Sequence, residues 1–125
     1  MNQDAFSQWL GIQVDKVEPG SVELSLKVRS EMLNGFSVAH GGIAYALADS
    51  ALAFASNGYG EQAMSIECTM SYLKAVQSGT KLKAIATEKN RSKRLGRYEI
   101  SVFQNETQIA LFYGTVMFLG KIWKI

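Results

Sequence analysis

The feature that most constrains the fold is the stretch from His40 to Gly58. It begins with two glycines, is rich in alanine and leucine, contains no proline, and ends at Asn57-Gly58. Alanine and leucine favour a helix, and an Asn-Gly pair is typical of a helix C-terminus. At about 1.5 Å per residue such a helix spans roughly 24 Å, about the width of a small domain. The sequence therefore predicts one long helix here.

Apolar residues cover nearly the whole circumference of this helix, so we expect it to be buried and to lack a broad solvated face. It is too short, and too interrupted by Asp49, Ser50 and Ser56, to cross a membrane, which needs about 20 mostly apolar residues. A sheet wrapped around the helix is the expected way to bury it. Small side chains keep the helix slim, so that backbone or a ligand can approach it closely; alanine stands at positions 44, 46, 48, 51, 53 and 55.

The rest of the chain is typical of strands joined by short connections. An extended segment over 12–18, the tight turn Pro19-Gly20 and alternating apolar residues over 22–28 predict a hairpin with one solvated face. Strand character follows the helix in four segments, and the last is apolar on both faces, as in a central strand or an interface; they cover 64–73, 81–88, 96–103 and 109–119. Short connections favour antiparallel pairing. We predict an α+β fold in which an antiparallel sheet of five to six strands wraps around one central helix.

The two ends of the chain carry further apolar residues. Phe6, Trp9 and Leu10 predict one face of a short helix that covers an edge of the core. One helix cannot cover both faces of the sheet, so some apolar side chains remain to form an interface, and we expect at least a dimer. These side chains are Val116, Met117, Phe118, Ile122 and Trp123.

Length and composition narrow the class of protein. The 125 residues fit a single domain over 1–125. A net charge of +2 is too weak to indicate nucleic acid, and the single cysteine, Cys68, excludes an internal disulfide. The first ten residues lack the basic start and long apolar run of a secretory signal. We therefore expect a cytoplasmic protein that binds neither nucleic acid nor membrane.

Asp49 is the anomaly on the helix, because its neighbours three and four positions away are Tyr45, Ala46, Leu52 and Ala53. An ionised carboxylate among such residues is costly unless it is paired or hydrated. Either it faces a cleft, or the helix is less buried than its composition indicates. In a cleft it would serve as a general base or nucleophile with a raised pKa. In a solvated stripe it would have no such role.

The turn His40-Gly41-Gly42 is a second candidate. Its free N–H groups and the positive end of the helix dipole can hold an oxyanion, or the glycines simply make a tight turn. Asp49 lies about two turns further along, near 10 Å away. The two features can therefore act on one carbonyl only if a second subunit supplies one of them. His40 can orient this turn, transfer a proton or cap the helix.

Three other sequence patterns are weaker indications of function. One histidine and one cysteine give no metal-ligand spacing, so we expect no metal and chemistry without a cofactor. Ser37 imitates a nucleophile elbow, but the chain is too short for the parallel sheet that this motif requires. The densest group of basic residues, a basic run, comprises Lys89, Arg91, Lys93, Arg94 and Arg97. It is either a solvated edge of the sheet or a binding site for phosphates. It lacks the interleaved aromatic residues that are typical of nucleic-acid binding.

One spacing is more specific. Asn34-Gly35 is followed by His40-Gly41-Gly42 and, nine residues after His40, by Asp49. This pattern resembles the hotdog-fold acyl-CoA thioesterases of the phenylacetate-degradation type. The likeness covers roughly residues 30–120 and continues through Ser65, Tyr72-Leu73-Lys74, Gly96-Arg97-Tyr98 and Ala110-Leu111-Phe112-Tyr113-Gly114.

The resemblance implies a hotdog fold, dimers that join two sheets, often a dimer of dimers, and an active site between subunits that hydrolyses acyl-CoA. Coenzyme A is then part of the substrate and no cofactor is needed. Asp49 would activate water or attack the thioester. Gly41 N–H, helped by Asn34, would polarise the carbonyl from the partner chain. His40 would support the glycine turn, and Ser65 would help to place the water.

For the nucleotide and phosphates of coenzyme A, the resemblance points to the basic run at Arg91, Lys93 and Arg94. The chain departs from the family at Ala75, where relatives often have proline. Two alternatives remain on the same fold. One is a non-catalytic acyl-CoA-binding regulator, since the basic run explains binding without chemistry. The other is a dehydratase or hydratase, which is weaker because its proline-rich histidine motif is missing.

Overall fold

Along residues 5–123 of the chain, a short helix and two strands precede the long helix, and four strands follow it. The computed structural model describes residues 5–123, in which a 3₁₀ turn at Ser30–Met32 accompanies two helices and six strands: α1 (Ala5–Leu10), β1 (Gln13–Glu18), β2 (Ser21–Lys27), α2 (Gly41–Asn57), β3 (Glu61–Tyr72), β4 (Lys81–Arg91), β5 (Leu95–Gln104) and β6 (Thr107–Ile122). The strands form one sheet in the order β1-β2-β4-β5-β6-β3, and all neighbours are antiparallel. The predicted α+β architecture, the hotdog fold, is confirmed.

The predicted bounds of the long helix are also confirmed, but its end is held differently from the expected glycine cap. Gly58 has φ −66° and does not adopt a left-handed conformation. The Asn57 side chain holds this end instead. Its Nδ2 donates to Ala53 O at 2.9 Å, and its Oδ1 accepts from Ala63 N at 2.9 Å and from Trp123 Nε1 at 2.8 Å. The helix is thereby tied to β3 and to the end of the chain.

The long helix was predicted to be buried, without a broad solvated face, but in the single chain it exposes a narrow stripe. The sheet curves around one side only, and this side is buried; it comprises Ile43, Ala44, Leu47, Ala48, Ala51, Leu52, Ala55 and Ser56. Gly42, Tyr45 and Asp49 are exposed on the other side. Residues three and four apart share a helix face, so these exposed positions form one continuous stripe. The stripe opens toward β3.

The core lies between α2 and the inner face of the sheet. Tyr98 on β5 and Phe112 on β6 are its largest fully buried side chains. Gly114 of β6 permits the close approach of the helix, since a Cβ there would lie 2.6 Å from Leu52 Cδ2. Val116 and Phe118 also belong to this core, so they do not supply an interface as predicted. Met117, Ile122 and Trp123 remain exposed in the single chain.

The short helix α1 is present as predicted, but only Leu10 enters the core. Phe6 and Trp9 are 57% and 51% exposed and stack on each other with ring centroids 6.3 Å apart. Arg29 holds this helix in place, because its guanidinium donates to the carbonyls of Leu10 and Trp9 at 3.2 and 2.6 Å. The expectation that the two aromatic rings cover the core is therefore wrong.

The sheet ends in two edges of different character. β1 is exposed along all six residues, carries charged side chains and has a bulge between Val14 and Lys16. The predicted wet face therefore describes β2, whereas β1 is exposed on both faces. β3 forms the opposite edge with twelve residues, no lysine and no arginine, and exposes Met64, Ile66 and Tyr72. A long apolar edge of this kind is a ready template for pairing with another chain.

Candidate functional site

The turn that starts α2 is organised by His40. Its Nδ1 accepts a hydrogen bond from Gly42 N at 2.9 Å, so the imidazole caps the helix. Its own backbone is fixed by Met32 O, which accepts from His40 N at 2.8 Å. The N–H of Gly41 donates to none of the described residues. The helix therefore begins with one capped amide and one amide that is free to bind a ligand oxygen.

Tyr72, at the end of β3, clamps this turn from the side. Its hydroxyl donates to Gly41 O at 3.0 Å. A Cβ on Gly41 would lie 3.3 Å from the Tyr72 ring, so a larger residue at position 41 would displace the tyrosine. Gly41 thus packs closely against a ring, which would have to shift by a few tenths of an ångström to accept a Cβ, and its backbone has no unusual angle.

Asn34 shapes the loop that leads to the turn. Its Oδ1 accepts from Phe36 N at 2.8 Å and from Val38 N at 3.4 Å, closing residues 34–38 into a tight loop. Ser37 occupies the left-handed position of this loop, with φ 62°, and is exposed. The serine belongs to a turn and not to a strand-to-helix elbow, in line with its exclusion as a nucleophile.

Asp49 faces a small pocket between α2, β3 and β6. The pocket has a volume of about 100 Å³ and is lined by Asp49, Leu52, Ala53, Ser56, Ala63, Ser65 and Val116. The structure thus brings the two predicted residues Asp49 and Ser65 together. The sequence left open whether Asp49 faces a cleft or the helix is less buried than its composition indicates. In the structure the carboxylate faces this pocket, and the helix is also less buried than its composition indicated.

The carboxylate of Asp49 has no partner that would offset its charge. No residue within 5–123 forms an ion pair or a hydrogen bond with it. Partial burial by the surrounding protein raises the pKa of Asp49 above its ordinary value of 3.8. A carboxylate with a raised pKa and no counter-ion, placed in a cleft, is typical of a functional site.

Two residues next to Asp49, Tyr45 and Cys68, were not predicted from the sequence as site residues. Burial, followed by the Asp49 charge, raises the pKa of the Cys68 thiol. Burial also raises the pKa of Tyr45, whose hydroxyl interacts with Cys68 and whose ring packs edge-on against Phe112 at 5.2 Å. The signal for Tyr45 was its place four residues before Asp49, one helical turn away on the same face.

The reason Cys68 was missed lies in the geometry of β3. Strict alternation puts residues 65 and 68 on opposite faces of a strand. A bulge between Ser65 and Glu67 shifts the register, so that Ser65 pairs with Val116 and Cys68 pairs with Gly114. The side chains of Ser65 and Cys68 therefore point to the same face of β3, the inner face of the sheet, where Asp49 also lies.

The residues of the basic run lie in two different surroundings in the structure. Arg91 lies over the rings of Tyr59 and Phe118 at 4.0 and 4.8 Å, with Glu88 at 4.0 Å. Lys93 and Arg94 instead line a groove of about 310 Å³ together with Glu61, Met117, Phe118, Leu119 and Gly120. The groove and the Asp49 pocket are both lined by residues of β3 and β6. Lys93 and Arg94 are thus brought together, whereas Arg91 is engaged by aromatic rings.

Two negative findings concern metal ions and membranes. Among residues 5–123, no three His, Cys, Asp or Glu side chains are grouped so that they could hold a metal ion. Neither helix in this part of the chain is long and apolar enough to cross a membrane.

The raised pKa of Asp49 predicts a stability effect that depends on pH. A carboxyl whose pKa is higher in the folded than in the unfolded state makes folding less favourable as the pH rises through the window that starts near 3.8. Below that window the group is protonated in both states and the effect vanishes. We expect Asp49→Asn to raise the melting temperature at pH 7 and to lose this advantage below about pH 4.

Thermal unfolding followed by circular dichroism from pH 3 to pH 8 measures this effect. Asp15→Asn, on the exposed strand β1, is the control for removing a carboxylate elsewhere. A wild-type protein that is more stable than Asp49→Asn at pH 7 would contradict the expectation.

Comparison with known proteins is consistent with this geometry. Residues 36–111 match the Thioesterase superfamily. The acyl-coenzyme A thioesterase PaaI of Escherichia coli K12 is 35% identical over 112 residues, covering 89% of this chain and 80% of that protein. The TT0310 protein of Thermus thermophilus superposes with a TM-score of 0.91 at 40% identity, covering 94% of this chain and 99% of that one.

The crystal structure of the E. coli PaaI protein from the phenylacetic acid degradation operon superposes with a TM-score of 0.94. It is 32% identical, and the alignment covers 97% of this chain and 88% of that one. The match over residues 36–111 includes the glycine turn, Asp49 and Ser65. With its six-stranded antiparallel sheet around one long helix, this chain belongs to the thioesterase superfamily and has the hotdog fold.

Proposed function

We propose that this thioester hydrolase acts on acyl-CoA, releasing a carboxylic acid and free coenzyme A at a site shared by two subunits. The observation that carries the proposal is the unpaired Asp49 carboxylate with its raised pKa, facing a pocket. The E. coli relative, named an acyl-coenzyme A thioesterase, supports the choice of substrate. An amide donor and a carboxylate suffice for such a reaction without a metal.

The carbonyl oxygen of the thioester accepts a hydrogen bond from Gly41 N–H, where the helix dipole also favours developing negative charge. Asp49 then removes a proton from the water that attacks the carbonyl carbon. The C–S bond breaks, and coenzyme A leaves as a thiolate that takes up a proton. Alternatively Asp49 attacks directly and forms a mixed anhydride, which water hydrolyses. The raised pKa makes the carboxylate both a stronger base and a stronger nucleophile, so it suits either route.

One chain does not hold both groups close enough. Gly41 and Asp49 are eight residues apart on the same helix, which corresponds to about 12 Å along its axis. A thioester carbonyl therefore meets Asp49 of one subunit and Gly41 of another. The β3 edge supports such a dimer, because it is twice as long as β1, exposes Met64, Ile66 and Tyr72, and has no lysine or arginine. A dimer of dimers and a cytoplasmic location remain predictions.

The other predicted site residues support the reaction by holding the glycine turn, the water or the coenzyme A in position. His40 holds the turn by accepting from Gly42 N and so leaves Gly41 N–H as the free amide. Asn34 closes the preceding loop and would assist the oxyanion through its side-chain amide. Ser65 shares the Asp49 pocket and would orient a water there. Lys93 and Arg94 form the groove that suits the phosphates of coenzyme A, while Arg91 would contribute only charge at a distance.

A panel of alkyl- and aryl-CoA thioesters tests the function directly. With purified protein we expect steady release of free thiol, measured with a thiol-reactive chromogen, and equal release of acid, measured by chromatography. The second candidate, a non-catalytic acyl-CoA-binding regulator, is favoured by the basic groove alone. Binding of acyl-CoA by calorimetry, with no thiol released over hours, would support the regulator and contradict hydrolysis.

A further inference from the structure

A second cavity lies at the start of α2, on the side of the glycine turn formed by Tyr72 and the loop after β3. Its volume is about 300 Å³, three times that of the Asp49 pocket. Most of its wall is apolar and comprises Ala39, Ala44, Leu73, Ala75, Val76, Leu82 and Ile109. His40, Gly41, Tyr72 and Lys74 complete the lining.

The cavity shares Gly41 with the proposed site, so it begins where the thioester carbonyl would be held. Its wall is well anchored. Ala39 N donates to Val76 O at 2.7 Å, and Leu73 N donates to Ile109 O at 2.8 Å. These bonds tie the loop over residues 73–76 to the segment before His40 and to β6. The space is thus a built feature next to the reacting atoms.

Size decides which part of a thioester each space can hold. The Asp49 pocket of about 100 Å³ has room for about three water-sized groups, enough for the attacking water and the carbonyl. The larger cavity has room for about ten. Its apolar wall suits an acyl group. The polar groups of the lining, on His40, Gly41, Tyr72 and Lys74, belong to the glycine turn, the end of β3 and the loop after it.

We propose that this cavity binds the acyl group of the substrate and that Ala75 helps to set its size, favouring compact acyl groups over long ones. The inference rests on the proposed function. Ala75 lines the cavity yet is exposed on its loop, so a larger side chain there fills the space without entering the core.

The test compares Ala75→Phe with Gln77→Phe, which adds the same ring to an exposed position of the same loop outside the cavity. Two substrates are used: acetyl-CoA, and whichever acyl-CoA of six or more acyl carbons the wild-type protein turns over best. The measured quantity is kcat/KM for the larger substrate divided by kcat/KM for acetyl-CoA. A ratio cancels any loss of folded protein.

We expect this ratio to fall about 10-fold or more in Ala75→Phe and to stay within about twofold of wild type in Gln77→Phe. An unchanged ratio in Ala75→Phe, or an equal fall in both variants, overturns the assignment of the cavity and leaves hydrolysis intact. A wild-type protein that releases thiol from none of the acyl-CoA panel overturns the proposed function and this inference together.

Discussion

Replacing Asp49 with alanine is expected to reduce kcat for acyl-CoA hydrolysis about 100-fold or more, the size usually seen when a general base is removed. The carboxylate faces a pocket large enough for a water, and no described residue pairs with it. Nothing else in that pocket can take its place, since Ser56 already donates to Leu52 O at 2.8 Å and Ser65 is a weak base.

Initial rates of thiol release measure this effect for Asp49→Ala and for Asp49→Asn, which keeps the shape of the side chain. Ser50→Ala is the matched control, because Ser50 lies next in the helix and does not line the pocket. We expect the control to stay within about twofold of wild type. Turnover that survives intact in both Asp49 variants would remove the carboxylate from the mechanism.

The same two variants separate a general base from an important structural residue. Asp49→Asn is expected to be more stable than wild type at pH 7, because it relieves the burial of a charge. A protein that gains stability while losing activity is the usual signature of a site where function has a cost in folding free energy. Loss of activity together with loss of stability would instead indicate that Asp49 supports the fold.

Local sequence was sufficient for the elements that depend on short-range pattern. The bounds of α2 followed from glycines at both ends of an alanine-rich run. A period of two indicated β2 and β5, and strand-forming residues between short turns indicated the other strands. The link between His40 and the glycine turn is also local, since its Nδ1 reaches Gly42 N only two residues away. For the same reason Asp49 stood out on composition alone, before any tertiary contact was known.

What the sequence did not reveal depends on long-range geometry. The one-sided burial of α2 follows from the curvature of the sheet, which no helical pattern encodes. Cys68 joins the site only because a bulge in β3 shifts the register by one residue. Arg91 is held by Tyr59, from the loop after α2, and by Phe118, from β6, so its position required the pairing of distant strands.

Gly41 is the other half of the proposed site, and proline at this position deletes its amide hydrogen with little change in the backbone. Gly41 is the first residue of α2, where proline is accepted. His40 has φ −58° and ψ 137°, the extended conformation that a residue before proline adopts. We expect Gly41→Pro to lower kcat about 100-fold to 1,000-fold, the usual result of losing one oxyanion donor.

Gly41→Ala is the comparison that isolates the amide. Both variants bring a Cβ to about 3.3 Å from the Tyr72 ring, and Tyr72 is exposed and can move aside. Only alanine keeps the N–H, so it should lose much less activity than proline. Equal losses in the two variants would assign the effect to the displaced ring and not to the missing donor.

Mixed dimers of Asp49→Ala and Gly41→Pro decide whether the site spans two subunits. If Asp49 of one chain faces Gly41 of the other, each mixed dimer contains one site with both defects and one site with none. Two nearly inactive chains, co-expressed with different affinity tags and purified through both, should then recover about half of the wild-type rate per dimer. If both groups come from the same chain, every site carries one defect and no activity returns. Recovery therefore requires that the amide and the carboxylate come from different subunits.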